Sequence, residues 1–386
     1  MKIEPTKDRN RIGSRLAAFF ANERKVLVAF FGSRILLWIV GWFGFFWLKH
    51  GEHQIFPGTQ LWNLLFHWDA LWYARIVAHG YEYAPGTQSS VAFFPLLPMA
   101  IYALRAITGL GTAIAGFLIT NTCLFVSAVL LRRIVLLDFP APSRVPERSV
   151  WFLLLCPMTF FHSAVYTESL FLMFSLGAIL FARKRQWLGA GICGAFLTAT
   201  RANALLILIP LLWEAFAPSA KSGNQEADDR RISASRWWLL LVPLGLTAYS
   251  FYLFTRFGDP LAFLRVQAAF YREGASLLTA FNTATRYPVP YGAFFIASAA
   301  IAIAVCGLGF VQRVRLSYQL YALAMLALCL STSIWESLPR YLSVVFPFYI
   351  TLGSVRSESF RTLLLCGSTA IMVICSLLFV CGYFMT

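Results

Sequence analysis

Charged residues are scarce in this chain of 386 amino acids. Only 13% of its residues are Asp, Glu, Lys or Arg, whereas 59% are hydrophobic and the mean hydropathy is +0.68. Soluble domains contain about 25% charged residues and about 45 to 50% apolar ones. The shortage of charge excludes an ordinary soluble domain and predicts a polytopic membrane protein.

The cysteines lack any arrangement typical of a disulfide framework or a metal site. None of the eight stands in a CxxC pair, and no two of them share a predicted loop. Because all of them lie within apolar runs, we expect small core residues rather than covalent cross-links or metal ligands. They are Cys123, Cys156, Cys193, Cys306, Cys329, Cys366, Cys375 and Cys381.

A soluble basic domain is missing as well, although the formal net charge is +15. The basic residues instead separate the apolar runs, near positions 132–133, 183–185, 221–236, 313–315 and 356–361. That distribution is typical of segments that face the cytoplasm and anionic lipid. Membrane lipids are therefore expected partners, whereas nucleic acid is not.

Long apolar runs dominate what is present. A helix that crosses a bilayer needs about 20 mostly apolar residues. The runs predict an all-α polytopic bundle of about nine to eleven transmembrane helices, so that residues 1–386 form a single membrane domain. They lie near residues 26–47, 91–107, 112–131, 150–165, 169–182, 187–216, 237–255, 288–310, 316–334, 341–354 and 362–384.

The alternation of basic and apolar segments predicts a topology. The N-terminal residues 1–25 and the loop 217–236 are expected in the cytoplasm, and the loops 48–90 and 256–287 on the opposite side of the membrane. The basic N-terminus precedes a long apolar run without a small-residue cleavage site, which indicates an uncleaved anchor.

Arg132 and Arg133 do not fit this topology without a further assumption. The runs at 91–107 and 112–131 resemble two crossings, which would place both arginines on the outer side. Either one of these runs lies along the interface, or the charge rule fails at this point. The prolines in Phe93–Pro98 would delay a helix start and leave both alternatives open.

The segment His67–Glu82 holds Asp69 among the aromatic residues Trp68, Trp72 and Tyr73. We interpret it as a short amphipathic helix along the interface, with Trp68 and Trp72 as anchors and Asp69 turned towards a cavity. A helix N-cap is the structural alternative for Asp69, and a belt of interfacial aromatics is the alternative for its neighbours.

Few ionisable or amide side chains stand within or beside the apolar runs, and such groups often mark a pathway or a site. In the predicted topology, Glu168, Arg201, Gln267 and Arg340 all approach the side that holds Asp69. Two further polar residues are interpreted as structural, because Asp259 precedes Pro260 in a turn and Arg34 stands alone in the first run.

The segments HWDALWYARIVAHGY, FFPLLP, YTESLF, TRAN, GDPLAFLRVQ and PRYLSVVFP occur in this order. Together they resemble the PIG-V mannosyltransferases of glycosylphosphatidylinositol synthesis and their prokaryotic relatives. The resemblance implies a GT-C glycosyltransferase bundle that uses a polyprenyl-phosphate sugar, dolichyl-phosphate mannose in eukaryotic members. It implies a site on the periplasmic or lumenal face, in the bacterial inner membrane or the endoplasmic reticulum. The important Trp and Asp of the family fall on Trp68 and Asp69.

Inverting glycosyl transfer from a lipid phosphate needs a base for the acceptor hydroxyl and positive charge at the leaving phosphate. We expect Asp69 to be the base and Arg201 and Arg340 to bind the donor phosphate, since a guanidinium fork matches phosphate oxygens. Each arginine has a structural alternative, in which it pairs with Glu168 or Glu336.

The remaining candidates would contact either the sugar of the donor or the acceptor. The acceptor is expected to be a lipid or a glycan that offers a hydroxyl group. Glu168 would orient an arginine or bind a sugar hydroxyl, and Trp72 and Tyr73 would stack on a sugar ring. The predicted hydrogen-bonding residues are Tyr166, Asn203 and Gln267.

Two alternatives compete with this interpretation. His50, His53, His67 and His79 crowd the Asp69 loop, but their spacing matches no standard metal site, so no metal or other cofactor is expected. A transporter or flippase of lipid-linked sugars is the alternative from another functional class. The chain lacks the internal repeat and the matched interrupted helices that such proteins often contain.

Overall fold

The computed structural model of the protein describes residues 22–51, 60–217 and 235–383. Within these ranges the chain is helical, and its only β-type pairing is an isolated bridge between Gly274 and Thr332. Most of the predicted N-terminal segment and cytoplasmic loop, together with His53, lies outside the described residues.

The helices follow one another along the described part of the chain. They are α1 (Arg24–Trp47), α2 (Asp69–His79), α3 (Leu96–Thr108), α4 (Thr112–Asp138), α5 (Val145–Leu154), α6 (Glu168–Arg183), α7 (Trp187–Thr198), α8 (Leu208–Phe216), α9 (Leu244–Phe257), α10 (Leu277–Thr285), α11 (Val289–Val311), α12 (Leu316–Leu330), α13 (Leu338–Leu342), α14 (Phe346–Gly353) and α15 (Glu358–Val380). Single turns of helix lie at Leu61–Leu64 and Ala262–Arg265, and 3-10 turns at Ser90–Ala92, Thr159–His162, Ala202–Ile207, Arg236–Leu241 and Ala268–Phe270.

Five helical segments in the described part of the chain are long and apolar enough to cross a membrane. They are α1, α4, the segment Arg236–Phe257 that contains α9, α11 and α15. Four shorter apolar helical segments of 10 to 17 residues accompany them. The protein is an integral membrane protein, and the all-α fold expected from the apolar runs is confirmed.

Three predicted runs are divided into shorter pieces rather than forming one helix each. The run at 150–165 breaks after α5, where Pro157 cannot donate a backbone hydrogen bond. In the run at 187–216 the break falls at Arg201, whose backbone is extended with φ −162° and ψ 151°. The run at 341–354 contains α14 with a proline in its first turn. Polar side chains and prolines therefore interrupt helices that hydropathy alone presents as continuous.

The length of helix α3 indicates whether the run at residues 91–107 crosses the membrane. Its 13 residues begin at Leu96, directly after Pro95, and rise about 20 Å at 1.5 Å per residue. A bilayer core is about 30 Å thick, so α3 is too short to cross it alone. This length favours the alternative in which one of the two runs does not cross.

The interior of the bundle is built around α6, which packs between α4 and α7. Leu172, Leu176 and Ile179 of α6 are fully buried. Helix α7 also approaches the segment that contains α9 closely, since a Cβ on Gly191 would lie 2.1 Å from the carbonyl oxygen of Trp238. Small residues at such positions let membrane helices pack backbone to backbone.

The short helix predicted in the first outer loop is present as α2. Its buried residues Ala70, Tyr73, Ile76 and Val77 form one stripe at helical spacing and pack on the core. Burial of this stripe anchors the helix, and its N-terminal residue Asp69 thereby reaches the interior of the protein.

Cysteine burial agrees with the sequence-based expectation except at one position. The eight cysteines are free, and most of them are buried, but Cys366 is exposed on α15. The expectation of a core residue is wrong for Cys366, because α15 packs on α1 and α5 through one face and Cys366 lies on another.

The two polar residues that we interpreted as structural have structural contacts. The buried guanidinium of Arg34 donates to the carbonyl oxygens of Leu154 and Thr159 and to the hydroxyl of Ser163. Asp259 accepts a hydrogen bond from the backbone N–H of Leu261, two residues later, as expected for turn chemistry.

Candidate active site

A cavity of about 510 Å³ lies beside the N-terminal end of α2. It is bordered by α2, the segment before α6, the break between α7 and α8, the loop 256–287 and α13. Seven of the sequence-predicted residues line it: Asp69, Tyr73, Tyr166, Arg201, Asn203, Gln267 and Arg340. The structure thus brings together side chains that are far apart in the sequence.

The other three candidates lie close by. A second cavity, of about 620 Å³, is lined by Trp68 and Trp72 and shares Asp69, Phe270 and Arg272 with the first. Trp68 also packs on His67 and Phe379. Glu168 lines neither cavity and is fully buried beneath the first one. Asp69 therefore stands where two cavities meet.

Arg340 connects the two acids of the site. Its Nη1 donates to Oδ2 of Asp69 at 2.6 Å, and its Nε lies 3.3 Å from Oε1 of Glu168. The Arg340 side chain is only 3% exposed. Because a buried charge without a partner is costly, the three groups are expected to hold one another in place.

Arg201 also pairs with Glu168, through its Nη2, and its Nε donates to the hydroxyl of Thr167 at 2.7 Å. Its Nη1 is buried at the cavity without a hydrogen-bond partner among the described residues, as is Oε2 of Glu168. Native proteins rarely leave such groups unpaired. The open positions suit a polar ligand.

Two residues that the sequence pattern did not assign to the site belong to this cluster. Arg272 lines both cavities, and Tyr341 lines the first. The guanidinium carbons of Arg340, Arg201 and Arg272 lie 5.1, 5.2 and 5.8 Å from the centre of the Tyr341 ring. Three cations around one ring form a positively charged wall.

The environment of Tyr341 reflects this charge. Burial alone would raise the pKa of its hydroxyl, but Arg272, Arg340 and Arg201 together lower it below the usual value. Both missed residues carried a sequence signal. Tyr341 follows Arg340 in the PRYLSVVFP segment, and Arg272 stands in the loop that was already assigned to the same side as Asp69.

The backbone around Asp69 is held in an unusual conformation. Trp68 has φ 46°, a value that is uncommon for a residue other than glycine and costs of order 1 kcal/mol. The hydroxyl of Tyr166 donates to the carbonyl oxygen of His67 at 3.0 Å and accepts from the N–H of Asp69 at 3.2 Å. Tyr166 therefore positions Asp69 from both sides of Trp68.

Among the described residues, the histidines that raised a metal site form no metal-binding group with Asp69. His67 is 2% exposed, and burial lowers its pKa to about 4, so the ring is neutral at pH 7. Glu82, an acid of the same loop, pairs with Arg75 on the surface. The described residues contain no group of three or more His, Cys, Asp or Glu side chains that could hold a metal ion.

Apart from the charged cluster, the first cavity is largely apolar. Its wall includes Phe93, Phe94, Leu205, Leu206, Phe263, Leu264 and Leu328. A site of this composition can bind a molecule that joins an anionic group to a hydrocarbon chain.

The chain matches known sequences over the part that contains α2 and the arginine at the α7–α8 break. Residues 54–216 match the model of the mannosyltransferase (PIG-V) family. The chain is also 30% identical over 213 residues to human GPI alpha-1,6-mannosyltransferase 2. That alignment covers 51% of this chain and 41% of the human protein, so this chain spans less than half of its relative.

Solved structures show the same fold at low sequence identity. ArnT from Cupriavidus metallidurans, crystallised with undecaprenyl phosphate, superimposes with a TM-score of 0.53 at 14% identity. This match covers 90% of the present chain and 63% of ArnT. The oligosaccharyltransferase of Archaeoglobus fulgidus gives a TM-score of 0.51 at 12% identity, covering 95% of this chain and 56% of that protein. The predicted GT-C fold and the resemblance to the PIG-V family are confirmed.

Proposed function

We propose that this membrane protein is an inverting glycosyltransferase. It transfers mannose from a polyprenyl-phosphate donor to a hydroxyl of a lipid- or glycan-linked acceptor on the extracytoplasmic face. The observation that carries the proposal is the position of Asp69 at the junction of two cavities, where it pairs with the buried Arg340. Glu168, Arg201 and the half-buried Arg272 complete the charged cluster.

The first cavity suits the donor. Its apolar wall can hold the first isoprenoid units, while Arg201 and Arg272 bind the phosphate. Nη1 of Arg201 has no hydrogen-bond partner among the described residues, and a phosphate oxygen could accept from it. The resemblance to the PIG-V family and the undecaprenyl phosphate bound to ArnT support a polyprenyl-phosphate carrier.

The structure suggests a different role for Arg340 than for Arg201. Arg340 donates to Asp69 through Nη1, and its Nε lies 3.3 Å from Oε1 of Glu168, so we assign it to orienting the base and to balancing charge. The cluster of Arg201, Arg272, Arg340, Asp69 and Glu168 carries formally one net positive charge. Bound phosphate would make the group nearly neutral or anionic, which favours the donor over a neutral lipid.

The second cavity suits the acceptor. Trp72 and Tyr271 offer aromatic faces, and Glu336 and Gln88 offer polar groups, which is a composition that binds sugars. Glu336 accepts a hydrogen bond from Tyr287 at 2.6 Å, which fixes its carboxylate at the rim. An acceptor hydroxyl in this cavity would come within reach of Asp69.

The reaction would proceed by a single displacement. Oδ2 of Asp69 is held by Arg340, and Oδ1 takes the proton of the acceptor hydroxyl as its oxygen attacks the anomeric carbon. The bond from that carbon to the phosphate breaks, and polyprenyl phosphate leaves with both electrons. Arg201 and Arg272 stabilise the charge that develops on the leaving group. Attack from the face opposite the phosphate inverts the anomeric centre.

The deciding experiment is transfer of radiolabelled mannose from synthetic polyprenyl-phosphate mannose by the purified protein in lipid. We expect Asp69→Asn to lower the transfer rate by about 10² to 10⁴ while donor binding persists. Glu82→Gln is the matched control, because Glu82 is an exposed carboxylate in the same loop that pairs with Arg75. Unchanged transfer by Asp69→Asn would show that Asp69 is not the base. Movement of the donor across the bilayer by the wild type, without transfer of its sugar, would favour a flippase.

A further inference from the structure

A third cavity, of about 690 Å³, lies away from the candidate active site. Among its lining residues Glu147 and Glu358 are acidic, whereas five are basic: Arg24, Lys25, Arg144, Arg148 and Arg361. It shares no residue with the two cavities at Asp69. None of its groups takes part in the proposed transfer reaction.

The positive charge of this basic cavity is only partly neutralised by the protein. Glu147 pairs with Lys25 at 3.4 Å and with Arg132 at 3.6 Å, and Glu358 lies 3.9 Å from Arg361. Arg24, Arg144 and Arg148 have no side-chain hydrogen bond or ion pair with any described residue. Partial burial, together with repulsion by Arg361 and Arg144, lowers the pKa of Arg148 despite the attraction of Glu358.

Three helices begin at the same place. Helix α1 starts at Arg24, α5 at Val145 and α15 at Glu358, and residues from the first turns of all three line the cavity. The N-terminal end of a helix carries a partial positive charge and attracts anions. The helix ends and the free arginines therefore favour the same kind of ligand.

The cavity opens onto an apolar surface of α1. Val28 lines the cavity and is 62% exposed, and Phe31 and Ile35 continue the same face of the helix at 57% and 54% exposure. Trp151, at the edge of the cavity, is 36% exposed. A ligand that is anionic at one end and apolar along its length would contact both parts at once.

We propose that this cavity binds the phosphate headgroup of an anionic phospholipid, with an acyl chain along Val28, Phe31 and Ile35. Basic pockets between helices at a membrane surface bind such headgroups. A free phosphate ion would satisfy the arginines but would leave the apolar stripe without a contact. The proposal requires only that the protein spans a membrane, and it does not depend on the transfer reaction.

Native mass spectrometry of the purified full chain tests the proposal. The protein would be equilibrated with equal amounts of phosphatidylglycerol and phosphatidylcholine, and the bound lipids counted. We expect preferential retention of phosphatidylglycerol. The double variant Arg144→Gln/Arg148→Gln should lower that retention by about tenfold or more, whereas Arg144→Lys/Arg148→Lys should preserve it.

The matched control removes two charges elsewhere at the same end of the bundle. Lys184 and Arg313 are exposed, adjoin Arg183 and Arg315, and lie outside the basic cavity. Lys184→Gln/Arg313→Gln should retain phosphatidylglycerol as the wild type does. Equal losses in both glutamine variants, or equal retention of the two lipids by the wild type, would overturn the proposal. Displacement of phosphatidylglycerol by inorganic phosphate would also overturn it, by identifying a free-anion site.

Discussion

Helix α6 begins at Glu168 and ends at Arg183, and each end belongs to a cluster of charges. At the Arg183 end, Asp138 accepts from Arg183 with both oxygens, at 2.8 and 2.9 Å. Nearby, Glu214 accepts from Arg315 with both oxygens and also from Ser317. The carboxylates of this cluster are thus fully paired.

The Glu168 end is built from the same residue types with a different result. Oε1 of Glu168 is shared between Arg201 and Arg340, while its Oε2 and Nη1 of Arg201 have no partner among the described residues. This cluster borders a cavity, whereas the other is closed by its own hydrogen bonds. The two clusters contain the same types of charged residue, so charge content alone does not distinguish them. They differ in whether their carboxylates and guanidinium groups have all their hydrogen bonds made, and this separates the structural cluster from the candidate active site.

Removing one arginine from each cluster should produce opposite effects. We expect Arg201→Gln to lower the mannosyl transfer rate by about 100-fold, because its Nη1 is proposed to bind the phosphate. It should cost less stability than Arg315→Gln, because Arg340 still lies beside the buried Glu168. Arg315→Gln should leave transfer per folded molecule unchanged and cost about 2 kcal/mol of stability, because Glu214 is buried. Transfer assays measure the rate of each variant, and thermal unfolding measures its stability. A loss of activity only in Arg315→Gln would reverse the assignment.

The support around Asp69 offers a finer test of the site cluster. Tyr166→Phe removes the hydroxyl that holds His67 and Asp69, and we expect kcat to fall about tenfold with KM unchanged. Tyr249→Phe is the control, since Tyr249 is another buried tyrosine that donates to a carbonyl oxygen, that of Val91, at 2.9 Å. Similar kcat values for the two variants would show that Tyr166 has only a packing role.

Arg272 extends the comparison to the rim of the cavity. It is half-buried, and its Nη2 donates to Ser337 at 3.2 Å. We expect Arg272→Gln to raise the KM for the polyprenyl-phosphate donor about fivefold, with a smaller effect on kcat, since in the proposed complex Arg272 contacts the phosphate in both the ground state and the transition state. Arg286→Gln, which alters an exposed arginine in the same loop, is the control. An equal KM for the two variants would exclude Arg272 from donor binding.

The smallest expected effect is that of a chelator. In the proposed mechanism Arg201 and Arg272 neutralise the leaving phosphate, so prolonged EDTA treatment should leave the transfer rate within about twofold of its starting value. The rate is measured before and after treatment, and again after addition of Mg²⁺ or Mn²⁺. A loss of transfer that either ion restores would contradict the metal-independent mechanism.

Local sequence features predicted the individual residues of the site better than the contacts between them. The HWD segment indicated both α2 and Asp69, and polar residues within apolar runs indicated Glu168, Arg201 and Arg340. The pairing of Arg340 with both Asp69 and Glu168 was not predicted, although an arginine–Glu168 pair was considered. A contact between residues 271 positions apart leaves no periodic pattern, and a single sequence cannot reveal it.

The divided helices illustrate the same limit. Hydropathy presents 187–216 as one run, yet Arg201 leaves the helix there to pair with Glu168. Hydropathy contains no term for such a pairing between side chains of separate helices. Arg272 was missed for a related reason, since an arginine in a loop is ordinary until its neighbours are known.

The sequence by itself determined that this chain lies in a membrane as a helical bundle, because long apolar runs can satisfy their backbone groups in lipid only as helices. It also indicated the α2 helix and seven of the residues that line the first cavity. Only the tertiary structure decided which charges are saturated and which face a cavity. That outcome depends on distances of a few ångströms between side chains from separate helices, and packing alone sets those distances.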